Sequence, residues 1–267
     1  MNKKTILITG AASGIGRETA LFFAKKDWYV GLFDINEDGL KNLATEIGSS
    51  NCFYQVMNVA DPESVKSGVD AFARQTESRL NVLLNNAGIL KFGLFDSVDL
   101  PVHSRIIDVN INGCMNCIFY CLPYLKKTKD ARIINMSSSS SLYGVPELAI
   151  YSSTKRWLSS MTEALDIELE PYGIKVCDIK PPYVRTPMLQ GGEDVKSMKV
   201  LSLLKFIGGQ IDAIDVAQIV WKAVHKDRLH WKVGFLIKLM SFQYWALPFT
   251  TRFTMKFLTM PKVEVKQ

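Results

Sequence analysis

The amino-acid sequence predicts an α/β protein, a single domain built on one doubly wound parallel sheet with helices on both faces. Two observations carry this expectation. Short apolar runs alternate with longer amphipathic stretches through most of the chain, and polar motifs rich in glycine, asparagine or serine follow the ends of those runs. Strands joined by helix-length crossovers cannot form hairpins, so they should lie parallel, with right-handed connections and ligands beyond their carboxyl ends. At 267 residues, 48% apolar and 22% charged, the chain suits one globular core and excludes disordered and fibrous classes.

The expected strands are Thr5 to Thr9, Trp28 to Phe33, Asn51 to Met57, Val82 to Leu84, Arg132 to Met136 and Lys175 to Ile179. The first runs into Thr9-Gly10-Ala11-Ala12-Ser13-Gly14-Ile15-Gly16, and Glu18 to Lys26 then shows helical spacing of Ala20, Leu21, Phe23 and Ala24. A strand, a glycine turn and a helix start make a candidate dinucleotide site. Glycine lets the backbone approach a pyrophosphate, whose charge is offset by free N–H groups and the helix dipole. Gly10, Ser13, Gly14, Ile15 and Gly16 are its candidate residues. Asp34 closes the second strand, where a carboxylate can accept hydrogen bonds from the adenosine ribose. That favours NAD over NADP, because a 2′-phosphate would meet a like charge and neither Ser13 nor Ile35 offers it a cation. The competing reading of Asp34 is a turn or helix-cap aspartate. After the third strand, Asn58 and Val59 are candidates for bracketing the adenine, against a plain turn with a helix cap at Asp61 ahead of Pro62.

The chemical signal is Tyr151-Ser152-Ser153-Thr154-Lys155, whose spacing of four puts Tyr151 and Lys155 on one helical face. A free phenol titrates near ~10, and holding it near ~7 requires roughly 4 kcal/mol favouring phenolate. A neighbouring ammonium, with the positive ring of NAD+, can supply that in a partly dry cleft. Tyr151 would then be a general base for alcohol oxidation or an acid for ketone reduction.

With Asn85-Asn86-Ala87-Gly88 after the fourth strand, the order of motifs resembles the short-chain dehydrogenase/reductase family and its Rossmann-type sheet, to about residue 188, roughly 70% of the chain. The resemblance implies that Asn86 and Gly88 border the cofactor ribose. It implies that Ser138, inside the run Ser137 to Ser141, holds the substrate oxygen as an oxyanion-type donor. It places Asn110 in a locally opened helix from which a water reaches the lysine. Asn110, Ser138, Tyr151 and Lys155 would form a catalytic tetrad, with Lys155 also binding the nicotinamide ribose. The Val184 backbone and the Thr186 hydroxyl would hold the carboxamide. Here the family's proline-glycine reads Pro181-Pro182, which removes an N–H and puts the loop path in question. By the same resemblance, broad apolar faces around 100 to 122 and 152 to 170 imply a homodimer or homotetramer.

Residues 188 to 210 read as an apolar hinged lid, with Leu90, Phe92, Leu142, Tyr143, Val145 and Tyr183 lining the rest of a pocket for a hydrophobic alcohol or ketone. The net charge of +6 is uneven: residues 1 to 198 hold 21 basic and 22 acidic groups, residues 199 to 267 hold 11 and 4. The extension 231–267, set apart from a 1–230 domain, is apolar and aromatic with single cations. That suits an interfacial helix on anionic lipid; a subunit contact or a lid over the cleft is the alternative. No run is long enough to span a bilayer, and the cations are too dispersed for nucleic acid. Met1 to Lys4 lead into a strand without a signal-peptide pattern, so a cytoplasmic protein is expected, peripheral at the inner face of a membrane if the tail binds lipid. Cys52, Cys114, Cys117, Cys121 and Cys177 read as reduced thiols. Cys114, Cys117 and Cys121 share a helical face as small core residues, and no metal site is expected.

The expected function is NAD-dependent hydride transfer between nicotinamide and a hydrophobic secondary alcohol or ketone of hydroxysteroid, retinoid or long-chain type. Alternatives are a carbonyl or 3-oxoacyl reductase and, in another class, a non-catalytic nucleotide-binding scaffold.

Overall fold

Residues 3–187 and 210–259 are described by a computed structural model. The strands are β1 (Thr5–Thr9), β2 (Tyr29–Asp34), β3 (Cys52–Val56), β4 (Val82–Asn85), β5 (Arg132–Met136), β6 (Lys175–Lys180), β7 (Tyr183–Arg185), β8 (Gln210–Asp212) and β9 (His230–Lys232). Seven of them form a parallel sheet in the order β3-β2-β1-β4-β5-β6-β9, while β7 and β8 pair separately. The six expected strands are all present, each end within one residue of its expected place. They stood out because both faces of the sheet are covered. In β1, Ile6 and Ile8 enter one core and Leu7 the other, so the strand is apolar throughout instead of alternating.

The helices are α1 (Gly14–Ala24), α2 (Glu37–Ile47), α3 (Pro62–Gln75), α4 (Leu100–Ile107), α5 (Gly113–Leu125), α6 (Ala149–Glu168), α7 (Ala213–His225), α8 (Phe235–Ala246) and α9 (Pro248–Thr259). α1, α2 and α7 cover the Ile6 face; α3, α5 and α6 cover the Leu7 face. On the first face Phe23, Trp28 and Trp221 meet edge to face with ring centroids 5.1, 5.2 and 6.0 Å apart, each such pair adding about 1 kcal/mol to its area burial. α1 starts at Gly14, four residues ahead of the expected helix, because the glycine turn is itself its first turn. α2 and α3 are capped by Asn36 and Asp61, whose side chains accept from the Gly39 and Glu63 amides, so Asp61 serves as a helix cap.

β1 pairs with β2 on one side and β4 on the other, so the order in which parallel strands are added to the sheet reverses between β1 and β4. The crevice at the carboxyl ends of these strands is where such sheets bind ligands. The short β7, β8 and β9 were not expected, since three residues show no periodicity. β9 pairs with β6 through Asp178 and His230, so the boundary drawn at 230 falls inside a strand of the main sheet. The lid expected over 188–210 lies outside the described residues, save Gln210. Among the described residues no helix is long and apolar enough to cross a membrane.

Candidate active site

One cavity of about 900 Å³ opens along the carboxyl ends of the central strands; Gly10, Ser13, Gly14, Ile15, Asp34, Tyr151 and Lys155 border it, while Gly16 does not. Gly10 and Gly14 have φ of +67° and +54°, a region other residues rarely adopt. A Cβ on Gly16 would stand 2.1 Å from the Gly10 carbonyl oxygen, so only glycine lets α1 start flush against β1. Ser13, at the N-cap of α1, makes no side-chain cap bond, and the first turn holds no acidic residue. In contrast with α2 and α3, the leading N–H groups of α1 are thus left for a ligand in the cavity.

Asp34 accepts from the Ala12 and Asn36 amides at 3.0 Å each while also lining the cavity. The turn role is therefore present, and each carboxylate oxygen retains acceptor capacity. Asn58 and Val59 border the cavity as well, but the Asn58 side chain accepts from Ala60 N and the Val59 carbonyl accepts from Asn116. Asn86 pins the glycine turn: its Nδ2 donates to the Thr9 and Gly10 carbonyls at 3.0 and 3.1 Å. Gly88 lies beside Asn110 Oδ1 and Lys155 Nζ, where an added Cβ would sit 3.2 and 3.5 Å from those atoms.

The first two turns of α6 present Tyr151 and Lys155 to the cavity. Lys155 is buried, its Nζ 5.6 Å from the Tyr151 ring centroid and donating to the Met136 carbonyl at 2.8 Å. Ser138 caps the short turn Ser139–Ser141 by accepting from Ser140 N, and its hydroxyl acts on the phenol in the direction that favours phenolate. Asn110 sits in a π-turn, Asp108–Asn112, between α4 and α5. Its side chain clasps Ile89 through both backbone groups and donates to Thr154 Oγ1 at 3.1 Å, tying the opened turn to α6. A second cavity of about 10 Å³, bordered by Asn110 and Lys155, has room for about one water.

The electrostatics differ from the expectation drawn from spacing alone. Burial pushes Tyr151 up to about 12, with Ser138 opposing, and pushes Lys155 down to about 8. The ammonium donates to the Met136 carbonyl, and desolvation of the phenol outweighs the opposing Ser138 hydrogen bond. Bringing it from about 12 to ~7 requires about 7 kcal/mol in place of the roughly 4 reckoned from a free phenol.

On the substrate side, Leu90, Phe92, Tyr143, Val145 and Tyr183 line the cavity, but Leu142 does not. It follows the short serine turn, and its carbonyl accepts from Arg156 at 2.8 Å. The tail takes its place. Leu236, Met240 and Tyr244 of α8 and Met255 of α9 form a wall of the cavity, and the Tyr244 ring meets Tyr143 at 5.8 Å. The spacing of residues 236, 240 and 244 was a visible signal, though no residue in it names a cleft. Val184 is buried in β7 and Thr186 lies against Gly14; both border the cavity, so the double proline leaves this segment in place. Cys114, Cys117 and Cys121 are buried in α5, and among the described residues no group of His, Cys, Asp or Glu is arranged to hold a metal.

Comparison with known proteins agrees with this geometry. The family described as short chain dehydrogenase matches residues 4–196. Cyclohexanol dehydrogenase of Acinetobacter sp. (strain SE19) is 32% identical over 222 residues, 82% of this chain and 86% of that protein. The 3-oxoacyl-[acyl-carrier-protein] reductase FabG of Thermotoga maritima is 34% identical over 189 residues, 70% of this chain and 76% of that one. Among solved structures, the 3-ketoacyl-(acyl-carrier-protein) reductase from Brucella melitensis complexed with NADH superposes with a TM-score of 0.76 at 28% identity, covering 86% of this chain and 96% of that one. ElxO with NADP bound also scores 0.76 at 28% identity, covering 86% and 97%. With the reversal of strand order, the glycine turn and the Tyr151 helix on the same cavity, these matches settle that the chain belongs to the short-chain dehydrogenase/reductase family of oxidoreductases.

Proposed function

We propose that the protein transfers hydride between NAD and a hydrophobic secondary alcohol or ketone, with Asn110, Ser138, Tyr151 and Lys155 as its catalytic tetrad. The observation that carries this reading is the placement of Ser138 and Tyr151 on an apolar cavity that continues to the glycine turn. The residues fit a dinucleotide: the uncapped start of α1 suits a pyrophosphate, and Asp34 suits the ribose hydroxyls of NAD while opposing a 2′-phosphate. Asn58, Val59, Asn86 and Gly88 would border its adenosine and ribose groups, and Val184 and Thr186 its carboxamide.

When bound, the dinucleotide supplies the hydride donor or acceptor and, oxidised, a positive charge near the phenol. Ser138 holds the substrate oxygen, and Tyr151 gives or takes the proton at that oxygen. Lys155 spends one of its three N–H donors on Met136, leaving two for a ribose hydroxyl and the water-sized cavity beside Asn110. A phenol held up at about 12 rests protonated, the form that donates a proton in the alternative reading of carbonyl or 3-oxoacyl reduction; alcohol oxidation needs the phenolate. The grouping of the four side chains speaks against a silent scaffold.

A cytoplasmic homodimer or homotetramer, peripheral to a membrane, completes the proposal. Its subunit contact is supported by Leu100, Ile107, Met115 and Phe119, exposed along α4 and α5. The test is initial rates with NAD+ against NADP+ on cyclohexanol, a steroid alcohol, retinol and a long-chain alcohol, and in reverse on the ketones. Tyr151→Phe should bind NADH like wild type and lose about 10²- to 10⁴-fold in kcat. Wild-type turnover by that variant, or a preference for NADP+, overturns the assignment.

A further inference from the structure

The hairpin of α8 and α9 has two faces of opposite use. Inward, Leu236, Met240, Tyr244 and Met255 wall the cavity. Outward, Phe242, Trp245, Phe249, Phe253 and Phe257 stand exposed, Trp245 by 80% and Phe249 by 78%. On α9 the exposed positions 249, 252, 253, 256 and 257 recur at helical spacing, so Phe249, Phe253 and Phe257 share a face with Arg252 and Lys256. Lys238 is exposed beside Leu239 on α8, and residues 235–259 contain no Asp or Glu.

We infer that this hairpin docks on an anionic lipid bilayer and that its inner face admits a membrane-dissolved substrate to the cavity. The aromatic side chains match the depth of a headgroup boundary, and the unopposed cations match its charge. A second copy of the chain is a poorer occupant. A two-fold contact through this face would bring Lys238, Arg252 and Lys256 of both copies into one interface, with no acidic group on the hairpin to pair them. Over the described residues neither helix is long and apolar enough to cross the membrane, so the contact is interfacial. The inference rests on the cavity being the substrate site, and it adds the source of the substrate: an alcohol or ketone delivered from lipid past Met240 and Met255.

The test is sedimentation of the full chain with phosphatidylserine–phosphatidylcholine vesicles and with phosphatidylcholine alone. Wild type should pellet with the anionic vesicles. Arg252→Gln with Lys256→Gln should weaken binding about 30-fold, taking roughly fivefold per cation. Trp245→Ser with Phe253→Ser should leave the protein in the supernatant, and NADH binding by each variant shows that it is folded. In the same samples, turnover of a steroid alcohol dissolved in vesicles should fall at least about tenfold in the Trp245 and Phe253 variant, while turnover of cyclohexanol in solution is unchanged. Wild type that stays in the supernatant, or variants that pellet equally well, overturn the inference. A wild-type dimer that ignores vesicles and is split by the Trp245 and Phe253 changes overturns it in favour of a subunit contact. Wild type that pellets yet oxidises neither alcohol leaves docking supported and removes the secondary-alcohol reading instead.

Discussion

Replacing Asp34 by asparagine should move cofactor choice while costing little of the fold. The carboxylate holds two backbone amides at 3.0 Å, those of Ala12 and Asn36. Asparagine keeps one oxygen acceptor and turns an NH2 toward the other amide, so one charge-assisted bond is lost. At this half-buried position the loss should be about 1.5 kcal/mol of stability, the lower end for hydrogen bonds to charged groups. The same change removes the charge that the proposed binding mode sets against the adenosine ribose. A lost charge-assisted bond of about 1.5–3 kcal/mol weakens NADH about 10- to 150-fold. Removing a like charge from a 2′-phosphate relieves up to several kcal/mol, so NADPH should bind more tightly than to wild type. Fluorescence titration of both reduced dinucleotides, with urea unfolding to separate the stability term, measures each quantity. If Asp34→Asn folds and the ratio of the two Kd values stays within about twofold of wild type, Asp34 does not discriminate and the argument from its charge fails.

Lys155 offers a pH test with a defined sign. Its folded pKa, about 8, lies below the ordinary 10.5, so between those values the unfolded chain binds more protons and stability rises with pH. Wild type should gain about 3 kcal/mol over Lys155→Met between pH 8 and pH 10.5, and a constant difference in urea unfolding across that window refutes the burial argument. Gly16→Ala drives a Cβ against the Gly10 carbonyl and should cost about 3 kcal/mol or more along with NADH binding; a variant as stable as wild type would show that α1 can shift. Leu142→Ala should leave KM for hydrophobic alcohols unchanged while Met255→Ala raises it, and the opposite pattern in steady-state kinetics would return Leu142 to the pocket.

The main sheet was legible because its strands are buried on both faces, so each shows as an apolar run, and their parallel sense follows from the helix-length gaps. The glycine turn and the Tyr151–Lys155 pair were equally plain, since both are local: a φ that only glycine adopts freely and a spacing of one helical turn. The resemblance placed Asn110 in an opened helix, and the π-turn is there, although the clasp on Ile89 and Thr154 joins segments 21 and 44 residues away.

Chain order, motif spacing and hydrophobic period thus settle the six longer strands of the main sheet and the motifs at their ends, because those depend on neighbours within a few positions. Burial and contact between distant segments belong to the folded molecule. β9 exists because β6 offers it an edge, Leu142 is absent from the cavity wall although its neighbour Tyr143 is in it, and the apolar tail becomes a cavity wall only once Tyr244 reaches Tyr143. The height of the Tyr151 pKa is decided in the same way, since desolvation depends on every atom packed around the phenol and none of that packing is written in a spacing of four.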